Sequence, residues 1–216
     1  MPLAPISREQ SQGEEIANSI SHGIGLAAAL IGAPFLITQA ARHGNDGFVV
    51  GVTLFSATTI FLYLASTVYH ALPTSNAKQV FRVLEHSAIF LLIAGTYTPF
   101  TLGVLHGAWG WILLSTIWVL AAAGVVLKVF YGASPPILST CLYLLMGWLV
   151  VIAADPLIAK MPTPGLLWLV AGGLSYTVGV VFFALDSRLR YAHLIWHLFV
   201  LAGTTCHYFA VLWYAA

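Results

Sequence analysis

Apolar runs separated by short polar or Gly/Pro-rich breaks divide the chain into seven segments, near residues 16–41, 48–72, 81–104, 109–131, 136–155, 164–185 and 191–214. A helix needs about 20 apolar residues to cross the hydrocarbon core of a bilayer, so each run is read as one span. The fifth and sixth are the cleanest, with no charge between Pro136 and Ala154 or between Pro164 and Leu185. The first is the least clean, because Asn18, Ser19, Ser21 and His22 occupy its opening turns. A helix that starts in the membrane interface accounts for them. No linker, low-complexity stretch or repeat interrupts the series. The pattern predicts an all-α integral membrane fold: one seven-transmembrane helix bundle over 1–216, with a polar N-terminal stretch at 1–15.

Composition narrows the class. Sixty per cent of the 216 residues are hydrophobic and 7% are charged, against roughly 25% charged in a soluble domain. A net charge of +1 argues against a nucleic-acid partner and leaves membrane lipids as the expected surroundings. Met1 to Glu15 carry both signs and no apolar core, so a cleaved signal peptide is not expected. Cys141 and Cys206 fall inside apolar segments and read as buried free thiols. No CxxC pair supports a sulfur metal site. Pro34 and Pro99 are expected kinks.

The basic residues orient the bundle. With the N-terminus cytoplasmic, that side holds Arg8, Lys78, Arg82, Lys128, Arg188 and Arg190, and the other holds Arg42 and Lys160. The expected topology is therefore N-in and C-out, in a multi-pass protein of the inner (plasma) membrane.

That topology gathers chemistry at one depth. His22 starts the first span, His70 closes the second, Glu85 and His86 open the third, and His193 and His197 open the seventh. Ionisable groups beside lipid are expensive and point to function. His193 and His197, at i and i+4, project from one helix face. With His70 they make three imidazoles, a ligand set suited to zinc with one position left for water. Ser66, one turn before His70, is placed to bond such a water or a ligand; ordinary helix-to-helix bonding is its other reading. Glu85 and His86 point about 100° apart, so both do not face one centre. His22 is either a supporting partner or an interfacial polar residue. His43 and His106 fall on outer loops, and His207 reads as an interhelical hydrogen bonder. Asp186, Arg188 and Arg190 read as a topology anchor.

The stretches EEIANSISHGIG, STVYHALP, EHSAIFLLIAGTYTPFTL and AHLIWHLFVLAGTTCHYF resemble the hemolysin III family, bacterial relatives of the progestin and adipoQ receptors and adiponectin receptors. The resemblance covers nearly the whole chain. It implies a seven-helix fold with a cytoplasmic N-terminus and a zinc ion near the cytoplasmic face, held by His70, His193 and His197. Ser66 and Glu85 occupy the family's serine and acidic positions, but the acidic residue is usually Asp. One extra methylene shifts the carboxylate by ~1.5 Å. Glu85 then either bonds the zinc water from a new angle or reaches the metal and closes the open position.

Two functions stand nearly level on these residues. In the first, the protein is a zinc-dependent hydrolase of a lipid amide or ester, with zinc-bound water as nucleophile, Glu85 as general base and Ser66 positioning. In the second, zinc is a structural clamp in a non-enzymatic sensor or regulator of membrane state. A cytolytic pore, suggested by the family's name, is a distant third, because no charged stripe runs the depth of a span.

Overall fold

The structure, a computed structural model, describes residues 8–132 and 136–215, apart from the side chains of His43 and Pro136. α1 (Gln12–His43) begins ahead of the first apolar run because Ser11 and Glu14 cap it reciprocally. α2 (Asp46–Ala71) is capped by Asn45, whose side chain accepts from Phe48 N at 2.9 Å. α3 (Asn76–Phe100) also starts earlier than the apolar pattern suggests, because Ser75 caps its polar first turn. After Pro99 it continues as a π turn, Thr101–Leu105. Then come α4 (Gly107–Tyr131), α5 (Pro136–Trp148), α6 (Ala154–Lys160), α7 (Thr163–Ala184) and α8 (Ala192–Tyr214).

α5 and α6 belong to one span, broken by a 3₁₀ stretch at Leu149–Ala153 and reaching Lys160 rather than 155. The break has a cause in α3. The Tyr97 hydroxyl accepts from Val150 N at 2.9 Å and lies 2.8 and 2.9 Å from the Met146 and Gly147 carbonyls. A side chain inserted into the ladder satisfies backbone groups that lipid would leave bare.

Among the described residues, seven helical spans are thus long and apolar enough to cross a membrane. α3 lies most deeply inside, flanked by α2 and α4, while α1 packs on α2 and α8. Ile16, Ile20, Ile24 and Ile31 on α1 face outward, as a lipid-facing stripe should. The free thiols are placed differently from expectation. Cys141 lies on the exposed face of α5, and Cys206 is half-buried.

α8 is drawn tightly onto α7. Gly165, Gly172 and Gly179 are buried at seven-residue intervals along α7. A Cβ at these positions would run into Tyr214, His207, and Trp196 with Phe199. Small residues allow such close helix approach in lipid. The fit fixes the rotation of α8, and with it the direction of His193 and His197. α5–α6 packs loosely by comparison, leaving a cavity of about 400 Å³ bounded by α3, α5–α6, α7 and α8.

Candidate metal centre

His193 and His197 project from the first two turns of α8, with ring centroids 4.7 Å apart. His70, at the end of α2, lies 5.1 Å from each of them. Glu85 comes in from α3, with Oε1 at 3.5 Å from His70 Nε2. All four residues are buried, and one ligand atom from each lies within 4.8 Å of the others. The sequence reading brought these four to one depth, and the fold brings them to one point.

Each imidazole is anchored through Nδ1. His70 Nδ1 donates to Glu15 Oε2 at 2.7 Å, and His193 Nδ1 to Asp186 Oδ2 at 3.2 Å. The Ser21 hydroxyl donates to Asn18 O at 2.8 Å, so its lone pair accepts from His197 Nδ1 at 3.0 Å. Anchors of this kind set the tautomer: the proton sits on Nδ1, and Nε2 carries a lone pair. Nε2 of His70 and of His193 is sealed from solvent with no hydrogen-bond partner. Buried, unpartnered nitrogens gathered beside a carboxylate are compatible with a metal ion.

Ser66 donates to Glu85 Oε1 at 2.6 Å. With its proton committed, Ser66 Oγ accepts from His22 Nδ1 at 2.7 Å. The His22 ring also stacks on His197, with centroids 3.6 Å apart and planes within 6°. His22 is therefore a supporting partner and not an interfacial residue. His86 turns away, donating from Nδ1 to Arg82 O at 2.8 Å. His106 is exposed at the opposite end of the bundle, and the side chain of His43 lies outside the described residues. The expected interhelical bond of His207 is not made; its buried Nδ1 has no partner.

A family model for "Haemolysin-III related" proteins matches residues 10–208. The chain belongs to that family. It is 44% identical over 201 residues to Hemolysin-3 of Bacillus cereus, covering 93% of this chain and 91% of that one. Identity to the Hemolysin-3 homolog of Bacillus subtilis (strain 168) is 43%, over 93% and 94% of the two chains. Monocyte to macrophage differentiation factor of Homo sapiens is 28% identical over 209 residues, covering 92% and 83%. The chain is accordingly an integral, multi-pass membrane protein of the haemolysin-III type, with a buried His/Glu cluster able to chelate a metal.

In this haemolysin-III fold the start of α1 does more than the sequence suggested. Glu15 bridges His70 and Lys78 Nζ, the latter at 2.9 Å. Glu14 accepts Tyr191 N at 2.7 Å and pairs with Arg8 at 2.6 and 2.7 Å. That carboxylate raises the Arg8 guanidinium above its ordinary value. Arg8 also reaches the Asp186 and Leu189 carbonyls. The N-terminal stretch thereby ties down the turn before α8, where Tyr191 takes a left-handed φ of 58°. Asp186, read as a topology anchor, orients His193. The Ser-x-x-Glu spacing at Ser11–Glu14 was the available signal, though it announces a helix start and not a support for the site.

Proposed function

We propose that this protein is a zinc-dependent membrane hydrolase acting on a lipid amide or ester. The observation that carries the reading is the set of three Nδ1-anchored histidines gathered with a carboxylate, one ligand atom from each within 4.8 Å of the others. His70, His193 and His197 would hold the ion. Bound there, zinc supplies Lewis acidity, polarising a carbonyl and acidifying water. Glu85, unprotonated and fixed by Ser66, takes a proton from the attacking water and returns it to the leaving group. His22 keeps the Ser66 hydroxyl aimed at Glu85. The apolar cavity supports a lipid substrate: Leu62, Ile89 and Trp196 in its wall lie within a turn of Ser66, Glu85 and His197. The excess of basic residues supports placing this end of the bundle at the cytoplasmic face.

One observation favours the alternative of a structural clamp in a sensor or regulator. Glu85 lies near enough to the histidines to be a fourth ligand, and closed four-ligand zinc sites are structural. Glu85→Gln separates the two. In the hydrolase, the variant keeps its zinc and loses turnover of long-chain amides and esters in mixed micelles. If zinc is lost with the carboxylate and no wild-type turnover exists, the clamp is the right reading.

A further inference from the structure

The cavity between α3, α5–α6, α7 and α8 is walled mostly by hydrocarbon, with His207 of α8 set into the wall. The hydroxyl side chains in its wall are already committed. The hydroxyls of Thr96, Tyr97, Thr101, Tyr143, Tyr176 and Thr177 are all bonded within the protein. His207 is 7% exposed, and its Nδ1 has no hydrogen-bond partner. The ring has little freedom to search for one. It lies over Gly172, where a Cβ would strike it, and stacks on Tyr176 with centroids 5.4 Å apart. A fixed, unpaired imidazole in an apolar cavity is a group waiting for a partner.

The Gly203 carbonyl sits beside the ring one turn earlier, the relation in which His86 Nδ1 bonds Arg82 O. At His207 that bond is not completed, and the ring keeps its hydrogen-bonding capacity unused. A neutral imidazole offers one N–H and one lone pair, and a hydroxyl, which both donates and accepts, complements either.

We propose that His207 recognises a hydroxyl carried part-way along an acyl chain lying in this cavity. The inference rests on the reading of the metal centre as one that acts on acyl lipids. His207 follows His197 by ten residues, or about 15 Å along the helix axis. An extended chain advances roughly 1.25 Å for each ~1.5 Å carbon–carbon bond. With the carbonyl at the metal centre, His207 stands beside about the twelfth carbon. An unsubstituted chain fills the same space but leaves the imidazole unpaired. Sites that hold a buried partner for a hydroxyl discriminate against ligands lacking one.

The test is binding to detergent-purified wild type and His207→Phe, which keeps the stacking surface and removes the nitrogen. The probes are stearate, 12-hydroxystearate and 2-hydroxystearate, competed pairwise and read by native mass spectrometry. Wild type should hold 12-hydroxystearate about fivefold more tightly than the other two, the worth of one buried hydrogen bond. His207→Phe should bind stearate as wild type does and lose the preference. Binding of all three acids without preference in wild type, or a preference that survives in His207→Phe, overturns the assignment of His207 alone. Failure of every acid to bind overturns it together with the acyl-lipid reading beneath it. The comparison of the two hydroxy acids on wild type decides the matter even if the variant does not fold.

Discussion

Replacing Glu15 with Ala removes the acceptor of the His70 Nδ1 proton, 2.7 Å away, while all four candidate ligands stay in place. Loss of such an outer partner typically weakens metal binding by ~10–100-fold, equivalent to about 1.4–2.8 kcal/mol. The structure argues for the lower end. The Glu15 side chain is 22% exposed, so water can enter the vacated position and accept the same proton, though without a fixed charge. We expect roughly tenfold weaker zinc binding. Glu15→Gln keeps a carbonyl acceptor and should lose less. Lys78→Ala is the control: it breaks the Lys78–Glu15 pair at 2.9 Å, a part-exposed contact worth about 0–1 kcal/mol of stability, without touching His70. Competition of each variant against a chromophoric zinc chelator gives the affinities directly. Zinc binding by Glu15→Ala within twofold of wild type would refute the reasoning, as would an equal loss in Lys78→Ala.

Two further perturbations probe the supports. Ser66→Ala strips the buried Glu85 carboxylate of its 2.6 Å donor and should cost about 1–3 kcal/mol of stability, seen as a lower Tm with zinc content unchanged; an unaltered Tm would mean that Glu85 is satisfied elsewhere. Gly179→Val drives a side chain into Trp196 and Phe199 and should destabilise by ~1–3 kcal/mol while loosening zinc, because α8 carries two of the ligands; a variant as stable as wild type would show that the α7–α8 fit does not position α8.

The spans were legible because lipid imposes one rule along the whole chain: backbone groups pair within a helix, and side chains facing lipid are apolar. The ligands were legible for the complementary reason, since His70, Glu85, His193 and His197 are costly at that depth without a task. What sequence could not supply came from other elements. The break in the fifth span depends on the hydroxyl of Tyr97, far away in α3. Asn18, Ser21 and His22 look interfacial along α1 and are buried because α2 and α8 pack against it. Glu15 and Asp186 sit at helix ends where charged residues are ordinarily solvated, and nothing local marks them as partners of His70 and His193. The unpaired state of His207 is likewise a property of its neighbours on α7.

The most direct test of the central claim is the metal content of detergent-purified protein by mass spectrometry, beside His70→Ala, His193→Ala, His197→Ala and the distant control His106→Ala. The account predicts about one zinc per chain in wild type, retained in His106→Ala and lost in the three others. Wild type free of metal when prepared without chelators, or zinc retained with all three histidines replaced together, would contradict it.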